Sequence, residues 1–543
     1  MAVSQASTRV SLHGVEWRIR RDAADDLLPA LQRGIESLIS GAAILKDKTY
    51  RAIYSTTIPV SGRPVIIKHY RNRDLGEALR RSFLSSTAMR EWRNAYALIR
   101  NGIPTPTPLA VGHKKRGPIV ADSWLIMETL PNARSLRDVL ETSLDRRAKN
   151  MLLSRAAELV RQLHDAGFQH RDLHAKNILV TGNVEDPHLW IVDMHAIVRD
   201  RMDELARCED LARLGVSVPP SCASRSDRLR FFKTYWAGRL RHRRHLKQLL
   251  KATWDLSAGL LSHHYHSRTV RCLTNSTLFT VERAAFGTVY RRRDASIEAI
   301  GEMLARHRQR IFGGDGVILK NTRNTRLTLV PDAAATGRVC VKEYCWRGRL
   351  YRLKDFIRPP PALREWIAAR ALAVRGIRSL EAIAAVLPPP LSVGRSHYFI
   401  TKEMAGAVPL HEYAARLAAE SDRRHKLEFI RDAADFLTSL YEQQVIHRDL
   451  KASNVQVIES NGKRAFALAD LAAMRFGPAA IREIARNLAQ LNASISLGIT
   501  SADRLRFLRR YLKRTGLSER EREIAREVIA QTATRNPVWL RRP

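Results

Sequence analysis

The octapeptide HRDLHAKN at residues 170–177 returns as HRDLKASN at 447–454, and that recurrence limits the fold more than any other feature of the chain. Landmarks on both sides recur with it, in the same order. VIIKHY (65–70) is matched by VCVKEY (339–344) and MREW (89–92) by LREW (363–366), which pairs Lys68 with Lys342 and Glu91 with Glu365 at a spacing of 274. ILK at 44–46 and 318–320, and NGI at 101–103 with RGI at 375–377, keep the same spacing. Downstream, IVDMHA (191–196) and LADLAA (468–473) pair Asp193 with Asp470 at 277, and SDRLRFFKTY (226–235) is followed by ADRLRFLRRY (502–511) at 276. A spacing held within three residues over most of the length marks one fold encoded twice. The 543 residues are also too many for a single ordinary core. Two domains are therefore expected, residues 1–265 and 266–543.

Within each copy the pattern runs from strand to helix. The β-type runs AIYSTTI and PVIIKHY, and in the second copy RLTLV and RVCVKEY, come first. A helical segment follows (TAMREWRNAYALIRNG; PALREWIAARALAVRG), then a strand ending WLIMETL or YFITKEM. The long helical runs RRAKNMLLSRAAELVRQLHDAG and HKLEFIRDAADFLTSLYEQQ then lead into the repeated HRD segments. A strand-rich first part and a helix-rich second part predict an α+β, two-lobed unit. PTPTPL (104–109) and LPPPL (387–391) read as loops inside each unit, because proline stops the preceding helix. The join falls near 240–280, where GRLRHRRHLKQLLK (238–251) holds six Lys/Arg and no acid, with Leu240, Leu246, Leu249 and Leu250 at roughly helical spacing. One reading is a basic amphipathic helix facing anionic lipid; the other is the solvated last helix of the first unit, packed by its leucines.

Charge narrows the class of partner. Lys+Arg number 92 against 54 Asp+Glu, a formal net charge of +38, which suits something polyanionic: nucleic acid, an anionic membrane face or a phosphorylated substrate. No RNP, helix-turn-helix or zinc-finger pattern is present and basic residues are spread through both copies, which argues against nucleic acid. The five cysteines, Cys208, Cys222, Cys272, Cys340 and Cys345, show neither CxxC nor Cys/His ligand spacing, and read as buried thiols of a reducing compartment. The segment MAVSQASTRVSLHG has no apolar signal-like core, and no apolar run approaches the roughly 18 residues of a membrane span. A cytoplasmic protein is expected, with a basic surface able to dock peripherally on a membrane.

Each copy orders its polar residues alike: a Lys, a Glu 23 residues later, His-Arg-Asp-x-x-x-x-Asn, and an Asp 21 residues after the first Asp. Transfer of a phosphoryl group needs such charges, since catalysis there is positioning and neutralisation of spread negative charge. A strand Lys braced by a helix Glu can hold phosphates, one Asp can orient and deprotonate an attacking hydroxyl, and Asn with a second Asp offers the oxygen ligands Mg2+ prefers.

This set resembles the protein-kinase-like superfamily, and within it the bacterial lipopolysaccharide kinases of the Kdo/WaaP, InaA-like type, over nearly the whole of both copies. The resemblance implies two tandem bilobal kinase-like domains, each with a small β-rich N-lobe and a helical C-lobe, that use ATP and Mg2+. By position, Asp172 and Asp449 look like the catalytic bases. Lys68 and Lys342 look like phosphate clamps, with Glu91 and Glu365 as their ion-pair partners. Asn177 with Asp193, and Asn454 with Asp470, look like the Mg2+ ligands. Glu128 and Glu403 fall where such kinases hold adenine through hinge backbone groups, and His170 and His447 look like braces of the catalytic loop.

The copies also depart from the kinase pattern. Neither has a GxGxxG loop; LKDKTYRAIY (45–54) and LKNTRNTRLT (319–328) stand there, where backbone amides cover phosphates less freely. Lys46, Lys48, Lys320 and Arg323 either help instead or form an exposed basic hairpin. DMH and DLA replace DFG; His174 and Lys451 follow the two bases; Lys402 sets a charge near the back of the second nucleotide site, where it would impair binding. A short stretch separates Asp193 from EDLARL (209–214) and no APE-like element follows, leaving little room to seat a peptide. That favours a small or carbohydrate acceptor hydroxyl, and the resemblance implies an already anionic one, a sugar of the lipopolysaccharide inner core at the cytoplasmic membrane face. The alternatives are one active and one regulatory copy, or a non-catalytic kinase-fold scaffold of the envelope.

Overall fold

The computed structural model describes residues 7–71, 86–116, 119–183, 185–219, 222–239, 242–313, 317–333, 337–345, 359–389, 396–420, 422–460, 462–495 and 498–535. It divides into two compact units, Met1–Leu261 and Ser262–Pro543.

In the first unit seven antiparallel strands form one sheet: β1 (Ser7–Leu12), β2 (Val15–Arg20), β3 (Ala43–Lys48), β4 (Arg51–Thr57), β5 (Pro64–Arg71), β6 (Pro108–Arg116) and β7 (Ile119–Glu128), in the order β1-β2-β6-β7-β5-β4-β3. Successive side chains of a strand point to opposite faces, so Leu125 and Ile126 enter different cores. Ile126 joins Ile67, Ile19, Leu27 and Leu31 beneath the helices Ala24–Gln32 and Ile35–Ser40. Leu125 joins Trp92, Ala95 and Tyr96 of the helix Thr87–Arg100, and that core runs on into the helical half. There the helix Arg146–Asp165, capped by Asp145, packs Leu152, Ala156, Val160 and Leu163 inward. It leads to the short strand Phe168–His170, paired with Ile197–Arg199, and to the hairpin Ile178–Asn183/Asp186–Ile191. The helices Glu204–Ser217 and Arg225–Trp236 close the unit.

The second unit repeats this plan strand for strand: Phe279–Ala284, Gly287–Arg292, Ala382–Leu387, His397–Lys402, Arg338–Tyr344, Thr325–Pro331 and Val317–Asn321 lie side by side in that order. One difference was not visible in the sequence pattern. A single helix, Ile297–Gly313, covers the outer face where the first unit uses two; there Gly34, at φ +93°, breaks the chain between them in a conformation that L side chains rarely adopt.

The basic segment at the join resolves toward packing. Its residues 243–251 lie in the helix Arg243–Thr269, where Leu249 is buried and Leu246 and Leu250 pack against the core of the first unit; Leu240 lies outside the described residues, as do Pro390 and Leu391 of the LPPPL loop. Cys208, Cys222 and Cys272 are buried, but Cys340 and Cys345 are only half-buried, so the expectation of five core thiols holds for three. Among the described residues no helix is long and apolar enough to cross a membrane.

Candidate active site

The site of the first unit is built where the sheet meets the helical half. Lys68 lies on β5 and is 7 % exposed; Glu91, on the first turns of the helix Thr87–Arg100, is fully buried. The Lys68 ammonium donates to Glu91 Oε1 and the Tyr70 hydroxyl to Glu91 Oε2, so both carboxylate oxygens are used. A buried charge pair is tolerated only when its remaining hydrogen-bonding capacity is met, and Tyr70 meets it. Lys68 Nζ also lies 3.6 Å from Asp193 Oδ1. The 23-residue spacing thus becomes one strand-to-helix ion pair that points at the later aspartate.

Asp193 sits in the left-handed region at φ +66°, and Asp470 does so at +52°. The helix Thr87–Arg100 fixes this corner as well: Asn94 Nδ2 donates to the carbonyls of Met194 and Ile197, both at 2.8 Å. Three cationic or polar groups converge on Asp193 Oδ1: Arg51 Nη1 at 2.7 Å, His195 Nδ1 at 3.1 Å and Lys68. Burial opposes its ionisation, but His195, Lys68 and Arg51 hold the carboxyl far below the usual carboxylate range.

The HRD loop is tied down from beneath. His170 is buried, its Nε2 lies 3.2 Å from the Val192 carbonyl, and its backbone N–H donates to Asp210 Oδ2 at 2.7 Å. Asp210 is itself buried and also meets His164 and Arg213. Asn177 donates Nδ2 to the Asp172 carbonyl at 3.0 Å, and Val192 N–H to the Asn177 carbonyl at 2.9 Å, which joins Asp172, Asn177 and Asp193 into one hydrogen-bonded corner. The Asp172 side chain is 57 % exposed, with His174 Nε2 at 3.6 Å.

The second unit brings the matching residues together. Lys342 Nζ donates to Glu365 Oε1 and to Asp470 Oδ1, each at 2.8 Å, and stands 5.1 Å from the Tyr344 ring. Against the pull of burial, Glu365, Tyr344 and Asp470 push the Lys342 ammonium up. Burial pushes Glu365 up too, while Asp470 is held low by Lys342 despite its own burial. Asn454 donates Nδ2 to the Asp449 carbonyl at 2.9 Å, His447 Nε2 lies 3.1 Å from the Ala469 carbonyl, and Lys451 Nζ is 3.0 Å from Asp449 Oδ2. Asn487 and Gln490 take over the bracing that Asp210 gives in the first unit, reaching the His447 and Arg448 carbonyls and the Leu450 N–H.

Glu128 ends its strand and Glu403 directly follows its own, but their side chains are engaged. Glu128 pairs with Arg63, and Glu403 takes both Arg338 Nε at 2.8 Å and Nη2 at 2.6 Å. Their N–H groups donate to the Thr107 and Arg338 carbonyls. Contact with an adenine would therefore fall to other backbone groups of the hinge. Lys402 lies on Glu381 at 2.9 Å and is half exposed, so it is a surface ion pair and sets no unpaired charge behind the nucleotide site. Arg51, His195, Asn94 and Asp210 escaped sequence reasoning. Of these only Arg51 carries a visible signal, a lone arginine opening the strand that faces Lys68.

A family model of lipopolysaccharide kinases (Kdo/WaaP) matches residues 46–235 and, a second time, 341–511, more than half of the chain. The chain belongs to the lipopolysaccharide kinase (Kdo/WaaP) family. Among curated relatives, the lipopolysaccharide core heptose(I) kinase WaaP of Escherichia coli is 31 % identical over 196 residues, 34 % of this chain and 74 % of the relative. The Pseudomonas aeruginosa WaaP is 29 % identical over 234 residues, 40 % of this chain and 84 % of the relative. A 3-deoxy-D-manno-octulosonic acid kinase of Actinobacillus succinogenes is 28 % identical over 211 residues, 37 % and 83 %. A solved structure of WaaP in complex with acyl carrier protein is similar over 41 % of this chain and 91 % of that one, at 23 % identity and a TM-score of 0.32. Each of these three curated relatives aligns with less than half of this chain and most of its own length, which fits a family model matched twice along the chain.

The residues present suit a magnesium nucleotide. Glu91, Asp193 and His195 offer ligand atoms within 4.8 Å of one another, but Glu91 is consumed by Lys68 and Tyr70. Asp193 with Asn177, and Asp470 with Asn454, are left as the hard oxygen donors that Mg2+ prefers. Bound there, the metal would neutralise phosphate charge.

Proposed function

We propose that this protein is an ATP-dependent kinase that phosphorylates a sugar hydroxyl of the lipopolysaccharide inner core. The observation that carries the reading is the repeated corner in which Lys68–Glu91–Asp193 and Lys342–Glu365–Asp470 face an HRD loop. In this reading Asp172 and Asp449 are the catalytic bases. Lys68 and Lys342, braced by Glu91 and Glu365, hold the α/β-phosphates. Asn177 with Asp193, and Asn454 with Asp470, hold Mg2+, and the backbone of the hinges after Glu128 and Glu403 holds the adenine. The names of the relatives support the acceptor: a heptose or 3-deoxy-D-manno-octulosonic acid residue of the lipopolysaccharide core. The charge of +38 supports an acceptor that is already anionic, met at the cytoplasmic face of the inner membrane through peripheral contact with anionic lipid.

The test is label transfer from γ-labelled ATP with Mg2+ to purified dephosphorylated lipopolysaccharide core, for wild type, Asp172→Asn and Asp449→Asn. Label halved in each variant means two working sites, and label lost in one names the working copy. Full transfer by the double variant would show that neither aspartate is the base. No label with ATP still bound would move the acceptor elsewhere, and no ATP binding would favour a scaffold.

A further inference from the structure

The last helix of the first unit has two faces, and packing uses one of them. Between Arg243 and Ala258 of the helix Arg243–Thr269, Leu249 and Thr253 are buried, and Leu246, Leu250 and Leu256 pack against the core. Arg243, Arg244, Lys247, Lys251 and Trp254 are exposed, Trp254 at 49 %. At 3.6 residues per turn these five fall on one stripe, about 16 Å long, on the side away from the leucines. The only acid in this stretch is Asp255, and among the described residues His245 alone of its basic side chains has an ion-pair partner, Glu204 at 3.0 Å.

The second unit supplies an internal control. Its own last helix, Glu521–Arg535, follows the short turn Ser518–Arg520 and buries Ile524 and Val528, 275 positions after Leu249 and Thr253. The charges there are balanced: residues 518–533 hold three arginines against four glutamates. Arg520 grips Glu523 through Nε at 2.7 Å and Nη2 at 2.6 Å, and Arg509 donates to Glu521 at 3.0 Å. Ile529, 275 positions after Trp254, is exposed as well, but among mixed charges. Packing a unit therefore needs the buried stripe and not the cations.

We propose that the outer face of residues 243–254 docks this protein on an anionic lipid surface, with the helix lying along the headgroups. The proposal rests on the reading that the acceptor is met at a membrane, and it names the surface that makes the contact. Arg243 with Lys247, and Lys247 with Lys251, are like charges one turn apart, a spacing that destabilises a helix. Only a partner rich in negative charge offsets that cost. A fluid layer of anionic headgroups gathers under a row of cations without needing fixed acids of matching shape, and each Lys or Arg at the surface adds to the attraction. The indole of Trp254 belongs at the headgroup level, where its ring is dry and its N–H is wet. Cations and an indole on one face, with a packed face behind them, make a helix that lies on a membrane rather than in it.

Flotation of the full-length protein with vesicles of phosphatidylethanolamine and phosphatidylglycerol tests the surface. Binding is expected there and not to vesicles of phosphatidylcholine alone, and it should weaken as salt rises. The Lys247→Gln, Lys251→Gln double variant should bind about 25-fold more weakly, about fivefold for each charge. Arg522→Gln with Arg526→Gln, exposed on the last helix of the second unit, removes the same charge and should bind as wild type does. Lipid brominated near the headgroup end of its chains should quench the tryptophan fluorescence of wild type more than that of Trp254→Phe. Melting temperatures check that each variant is folded. Equal loss in the two double variants would reduce the effect to overall charge and overturn the surface. Undiminished vesicle binding by Lys247→Gln, Lys251→Gln would overturn it too, and loss of a DNA duplex or an acidic protein by that variant instead would give the face to another partner. Phosphoryl transfer keeps the kinase reading apart: the same variant should lose label on core carried in vesicles and keep it on deacylated core in solution. A wild type that labels neither sinks the kinase reading, while vesicle binding still decides the surface.

Discussion

Single residues beneath the HRD loops set the pH response of the fold. His164 is enclosed between the Tyr235 hydroxyl, 2.6 Å from Nδ1, and Asp210, 3.2 Å from Nε2; His170 and His447 each place Nε2 near a backbone carbonyl. Burial lowers the pKa of all three. They stay neutral in the fold while the unfolded chain takes up their protons near pH 6.5. Below that pH the unfolded state binds more protons, so stability falls as pH drops, by up to about 1.4 kcal/mol per pH unit for each histidine. Asp193, held low, acts in a separate and more acidic window, below about pH 4. Urea midpoints measured from pH 8 to pH 5 should stay level at first and then decline from about pH 6.5; a flat profile down to pH 5 would mean that these rings admit a proton in place. The change from Asp210 to Asn487 with Gln490 shows the same bracing made once with a charge and once with neutral amides, and side-chain identity alone would not have paired them.

At the scale of elements, the recurring SDRLRF/ADRLRF segment proves to be architectural. Ser224 and Thr500 cap the helices Arg225–Trp236 and Ser501–Thr515, each in a capping box with the aspartate three residues on. That aspartate also meets a lysine of the long preceding helix, Lys149 to Asp227 at 2.9 Å and Lys426 to Asp503 at 2.8 Å. The next arginine reaches back to carbonyls of the helix before the cap, Arg228 to Gly215 and Arg504 to Asn492. One hexapeptide thus joins three helices twice over. Thr500→Ala should cost about 1 kcal/mol, the usual worth of a helix N-cap. Asp503→Ala should cost more, because it also leaves Lys426 and Arg506 without their carboxylate. Chemical denaturation of the pair checks the order, and a reversed order would place the stability in the hydroxyl. The ion pairs Arg63–Glu128 and Arg338–Glu403 are also shared by both units, although Arg63 falls opposite Gly337 when the copies are aligned at 274. Structure restores a pairing that residue-by-residue matching misses.

For the molecule as a whole, duplication means that each unit carries its own cores. Leu125 and Trp92 belong to a core of the first unit, and Phe399 and Trp366 to a core of the second. Leu125→Ala should cost about 2–5 kcal/mol, the range for truncating a fully buried leucine. Hydrogen exchange read peptide by peptide should place that loss in residues 1–261 and leave protection in 262–543 unchanged; equal loss in both would mean that the chain opens as one unit.

The order of strands and helices, the duplication, and the set Lys–Glu–Asp–Asn–Asp were legible in the sequence because each repeats in register, and a repeated spacing is a local record. The sequence by itself determined which residues come in matched pairs and that they carry the charges phosphoryl transfer needs. Only the tertiary structure decided how those charges are shared: that Arg51 and His195 crowd Asp193 while Asp470 has Lys342, and that Asp210 supports one HRD loop and two amides the other. These partners are brought together by sheet register and by the packing of distant helices, as with Arg51 and Asp193, 142 positions apart. No short-range pattern in the chain records a contact of that kind, because it is made by the fold.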